Sequence, residues 1–119
     1  MEYEYDNLIN ELFNQFPELE SAYRREGEYI EGLPHLCYSI VFVPFIKQAL
    51  HFGEEKNIRL ICRFMEIMAT SEDEKVQEVL AVSVLENMVG ERNIIRSLRR
   101  YLGINTLKIL TEMEKEYGW

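Results

Sequence analysis

Cysteine, histidine, proline and tryptophan are all scarce in this chain, with two, two, three and one among 119 residues. Each shortage removes a class of protein. Cys37 and Cys62 each lie inside an apolar segment, without paired-Cys or Cys/His ligand spacing, so neither a disulfide framework nor a zinc site is expected. They read as buried, reduced thiols, which points to the cytoplasm. His35 and His51 do not form an HExxH pair, and the six glycines are scattered singly rather than gathered into a phosphate-cradling loop. The acidic run SEDE at Ser71–Glu74 lacks the alternating ligands and central glycine of a calcium loop. No cofactor or metal is therefore expected. The longest apolar stretch, Cys37–Ile46, is too short to cross a bilayer, and the chain starts without a basic-then-apolar leader, so neither membrane insertion nor export is expected.

What is abundant is acid. The net charge is −8, which disfavours nonspecific binding to nucleic acid or to an anionic membrane surface and favours a basic partner. The charge is also unevenly placed. Residues 1–31 hold nine acids against Arg24 and Arg25, whereas residues 91–108 set Arg92, Arg96, Arg99, Arg100 and Lys108 against Glu91 alone. Either the acidic and basic elements attract one another or are simply solvated, or the acidic third is a recognition surface.

Apolar spacing divides the chain into helices. Asp6 is positioned to cap a helix bearing Leu8, Ile9, Leu12, Phe13 and Phe16, which Pro17 ends. A second, with Leu19, Ala22 and Tyr23, runs to Gly27. Residues 54–69 place Ile58, Ile61, Phe64, Met65 and Met68 on one face. Ser71 and Glu74 have the spacing of a capping box for the next helix, which carries Val76, Val79, Leu80, Val84 and Met88 to Gly90. Arg92–Leu102 and a final helix capped by Asn105 or Thr106, with Leu107, Leu110 and Met113 inward, complete the set.

The segment LPHLCYSIVFVPFIKQAL, Leu33–Leu50, is the ambiguous one. Ile40, Val41, Phe42 and Val43 have the bias of a buried strand. The apolar positions nevertheless continue to Phe52, more than twice a typical strand, and Pro34 and Gly53 bracket the run as a helix start and stop. A central helix is the expectation, with a kink or break at Pro44, whose ring clashes with the preceding turn. The whole chain, residues 1–119, then reads as one all-α domain, a compact bundle of six to seven antiparallel helices. Its helix pairs could be HEAT-like in shape, although no self-similar period is present.

Candidate chemistry is thin. His35 and Cys37, two apart on a helix, point to different sides and cannot readily pair as base and nucleophile. His51 lies near a helix C-terminus, where the dipole favours a cation and a structural role. The arginines at 92, 96, 99 and 100 share a face that could follow phosphates, but in so acidic a chain a solvated face, or pairing with the acidic N-terminus, is the better reading. The chain is not expected to be an enzyme. At the N-terminus, YEYD together with Tyr23 and Tyr29 mixes flat rings with carboxylates. That is the composition either of a protein-binding surface or of an ordinary solvated terminus.

In its small, acidic, all-helical character and in the segments EGLPHL, FMEIM, KVQEVLAVSVLENM and YLGINTL, the chain resembles immunity proteins of bacterial toxin systems of the polymorphic or contact-dependent kind. More narrowly, it is similar to small bacterial helical domains of uncharacterised function found alongside them. The resemblance spans most of the chain. It implies a cytoplasmic protein that binds a cognate toxin domain, often a basic nuclease, and occludes its active site or substrate groove. On that footing the toxin-binding residues are expected among Tyr3, Tyr5, Glu18, Glu20, Tyr23, Glu26, Glu28 and Glu31, the acids and aromatics of the most acidic third. A helical adaptor with some other protein partner would use the same kind of surface. A small enzyme would instead need His35 or His51 in a hollow beside a carboxylate.

Overall fold

A computed structural model describes residues 3–118, and among them every regular element is helical. The chain runs through α1 (Leu8–Gln15), α2 (Leu19–Glu26), α3 (Pro34–Cys37), α4 (Val43–His51), α5 (Glu55–Ala69), α6 (Glu74–Glu78), α7 (Arg92–Arg99) and α8 (Ile104–Glu116). Two π-helical turns, Tyr38–Phe42 and Val79–Leu85, extend α3 into α4 and α6 toward its C-terminal turn. This gives seven helices among the described residues, the all-α bundle that the spacing predicts.

The ambiguous segment is the central helix. It passes through Pro44 without a break, because the chain widens to a π-turn just before it. The Val43 amide donates to the Tyr38 carbonyl five residues back, so the Pro44 ring is not driven against the turn behind it. Tyr38, Phe42, Ile46 and Ala49 are fully buried. Around them lie the rings of Phe16 from the end of α1 and Phe64 from α5, with centroids 5.5–5.9 Å apart among Phe16, Phe42 and Phe64. Burying Tyr38 requires a partner for its hydroxyl, which donates to the Leu8 carbonyl at 2.7 Å.

Pro17 and Gly27 bound α2 as expected, Gly27 taking a φ of 92° that only glycine adopts readily. Several caps differ from expectation, and only at α8 has a distant group displaced a local one. Asp6 caps nothing, since residues 5–7 form a 3₁₀ turn leading into α1. The residue capping α6 is Asp73, whose Oδ1 accepts from the Lys75 amide at 3.0 Å. Ser71, expected in a capping box, is buried and donates to the Tyr3 carbonyl at 2.8 Å, while Asp73 Oδ2 accepts from the Tyr5 amide at 2.9 Å. The SED segment thus clamps the N-terminal strand of chain instead of closing a box. α7 stops at Arg99 rather than Leu102, because Tyr101 and Leu102 turn back to carbonyls three residues behind.

Neither Asn105 nor Thr106 caps α8. Glu66 of α5 does so across the fold, accepting from the Asn105 amide at 3.0 Å, the Asn105 side chain at 2.7 Å, the Thr106 amide at 2.9 Å and the Thr106 hydroxyl at 2.8 Å. Its carboxylate occupies the space where a Cβ on Gly103 would sit, so any larger residue there would have to push the Glu66 side chain aside. Farther along α8, nearly buried Glu114 accepts from Arg92, at 2.5 Å, and from Arg99. Two members of the arginine row, Arg92 and Arg99, therefore pair with α8, where α7 sets its polar edge beside Glu114.

Burial acts to raise both carboxyls. For Glu66 the bonds from Thr106 and Asn105 outweigh it, and for Glu114 those from Arg99 and Arg92 do, so both lie below the ordinary value of 4.5. Depressed folded-state values mean that this stability is present above the unfolded carboxyl range and is lost as pH falls through the folded values. Glu66→Ala is expected to cost about 1–2 kcal/mol at pH 7, from losing a charged cap and leaving the buried Thr106 donors without their acceptor. In thermal melts the gap between variant and wild type should narrow from pH 5 toward pH 3; a gap independent of pH would contradict the cap.

Candidate protein-binding groove

α1 and α2 meet at Pro17 with Phe13 of the first against Tyr23 of the second, ring centroids 5.2 Å apart. The Tyr23 hydroxyl accepts from the Gly32 amide at 2.7 Å, which holds the 28–32 connection against α2 and presents Glu31 beside the ring. Tyr5 also lines the opening, held by the hydrogen bond its backbone N–H donates to Asp73 Oδ2. These elements enclose an open groove of about 430 Å³ walled by Tyr5, Phe13 and Tyr23 and edged by Asp6, Glu20 and Glu31. Arg24 also borders it, with Nη2 at 2.7 Å from Glu20 Oε2. A neighbouring hollow of about 210 Å³ shares Tyr23, Arg24 and Glu31 and adds Glu28.

Of the eight residues expected to bind, Tyr5, Glu20, Tyr23 and Glu31 come together in the groove and Glu28 lies next to it. Glu18 and Glu26 are exposed on or beside α2, and Glu26 accepts from the Tyr29 hydroxyl at 2.8 Å. Tyr3 does not belong with them. It is 8% exposed, with its ring 5.1 Å from Phe64, and serves the core. Asp6 and Phe13 were not in the expected set; Phe13 was assigned to a buried helix face and Asp6 to a cap, and only the meeting of α1 with the 28–32 connection turns both toward one opening.

His35, on α3, lies next to this groove, its ring centre 6.3 Å from that of Tyr5. Its Nδ1 is 2.5 Å from Ser83 Oγ and its Nε2 is 4.0 Å from Glu78 Oε1, at the rim of a hollow of about 250 Å³ shared with Tyr5 and Lys75. The histidine thus meets the carboxylate-in-a-hollow condition for base chemistry. Ser83, however, is 5% exposed and does not line the hollow, so its contact with Nδ1 joins α3 to the π-turn that follows α6 rather than presenting a serine nucleophile. His51 is exposed at the end of α4 with its ring against Phe52.

Cys37 and Cys62 are 0% and 3% exposed, and burial pushes both thiols up to about 12. No group of three or more potential metal-binding side chains occurs among the described residues. Of the arginine row, Arg96 donates to Asn93 at 3.1 Å and Arg100 is exposed, so with Arg92 and Arg99 committed to Glu114 the row is not an open phosphate track.

Fold and groove together describe a small all-helical domain with an acidic, aromatic-lined groove between α1, α2 and residues 28–32. Over residues 9–118 the chain belongs to the family described as a domain of unknown function, DUF7674. Comparison with curated proteins and with solved structures returned no match. No helix among the described residues is long and apolar enough to cross a membrane.

The buried thiols give a direct check. A thiol-reactive reagent at pH 8 should label neither cysteine in the native protein and both after denaturation, because the reactive thiolate is rare and inaccessible; rapid native labelling would show that the core opens.

Proposed function

We propose that this protein is a bacterial immunity protein that binds a cognate toxin domain, a basic nuclease, and occludes its active site or substrate groove in the cytoplasm. The observation that carries the reading is the groove, where three aromatic walls and three carboxylates converge in the most acidic third of the chain. Aromatic anchors in a concave site supply affinity, and the surrounding acids accelerate encounter with a basic surface. The resemblance to immunity proteins supplies the kind of partner, and the net charge of −8 supports its sign.

A second reading, a small enzyme, is favoured by the His35 and Glu78 hollow alone. The same assay separates the two. Against the cognate toxin domain, Glu20→Lys, Glu26→Lys and Glu28→Lys combined should slow association by about tenfold or more at low salt and weaken protection in cells. His35→Gln should protect as the wild type does. Full protection by the triple variant contradicts the acidic surface, and loss of protection by a folded His35→Gln protein moves the function to the histidine.

A further inference from the structure

The groove already holds a guanidinium of the chain's own, and the way it is held bears on what the groove would accept. Arg24 reaches Glu20 through one nitrogen and one oxygen, one turn apart on the same helix, and its side chain is 74% exposed. A pair so exposed is weak. Asp6 and Glu31, on the other edges of the groove, make no ion pair among the described residues. The opening therefore offers two unneutralised carboxylates, a third that is loosely occupied, and the rings of Phe13 and Tyr23, while Lys75 Nζ lies 5.7 Å from the centre of the Tyr5 ring.

We infer that the groove binds an arginine side chain of the partner, whose guanidinium displaces Arg24 from Glu20 and stacks on the aromatic wall, so that Arg24 is a competing placeholder. This rests on the reading of the groove as the binding surface for a basic protein. The chemistry selects arginine over lysine. A guanidinium is planar and weakly hydrated, lies flat on an aromatic face, and engages a carboxylate with two parallel N–H donors. An ammonium is a compact, strongly hydrated point charge that can lie over a ring but cannot stack flat on it or bind a carboxylate with two parallel donors. Arg24 is tethered on the same helix as Glu20 and makes only the single contact, whereas an incoming guanidinium is free to align both prongs.

The test uses the intact protein and two capped peptides, tetra-arginine and tetra-lysine, in amide chemical-shift titrations at low salt. Tetra-arginine should bind more tightly than tetra-lysine, with shifts concentrated in α2 and residues 28–32. Arg24→Ala should tighten tetra-arginine binding by about two- to fivefold through removal of the competitor, and Glu20→Gln should weaken it by about three- to tenfold. Both changes sit on an exposed or half-exposed helix face, so the fold is expected to survive them. If both peptides bind the groove equally and Arg24→Ala changes nothing, the inference falls and the acidic groove stands. If Arg24→Ala weakens binding, Arg24 belongs to the site and the placeholder role is overturned. Shifts outside the groove, or none, overturn both the inference and the reading beneath it.

Discussion

The structure depends on the contact that the central helix makes with α1. Tyr38 is fully buried, and its hydroxyl has to find an acceptor, which it does at the Leu8 carbonyl. Below it, the rings of Phe16, Phe42 and Phe64 pack in tilted and edge-on arrangements that hold the end of α1 against both the central helix and α5. With α1 set, Pro17 directs α2 back across it, Phe13 meets Tyr23, and the 28–32 connection is tied to α2 through the Tyr23 hydroxyl. The groove is a consequence of that chain of contacts. Its aromatic walls are shared with the packing, which makes it preformed.

Long-range polar bonds do the remaining positioning. Asp73 and Ser71 hold the residues around Tyr3 and Tyr5 from 68 positions away, and so help to place Tyr5 at the groove. On the opposite side of the molecule, Glu66 and Glu114 attach α8 to α5 and α7 through charged hydrogen bonds. Arg92 and Arg99 are thereby paired within the fold while Arg96 and Arg100 stay exposed, and the excess of acid over base in the whole chain is carried mainly by its N-terminal third.

Much of the fold was legible in local signals. Pro17, Gly27, Pro34 and Gly53 mark real helix ends, and the length of the Leu33–Leu50 run correctly outweighed its strand-like composition. The caps were misread because Asp6, Ser71, Asn105 and Thr106 have suitable side chains in suitable places, yet Asp73 and Glu66 arrive with better geometry, the latter from a different helix. The π-turn before Pro44 was not foreseen either, since spacing alone shows only that proline obstructs an α-helical turn. For the groove, composition identified the acidic third but not which side chains converge. Tyr3 and Tyr5 look equivalent in YEYD, and only the tertiary clamp sends one ring into the core and leaves the other at the opening.

The most direct measurement of the central claim is hydrogen exchange on the complex between this protein and the partner that co-purifies with it at one-to-one stoichiometry after nuclease treatment. A basic protein partner that protects amides of α2 and residues 28–32 is the predicted result. Protection confined to α7 and α8, with the groove exchanging as in the free protein, would contradict the account.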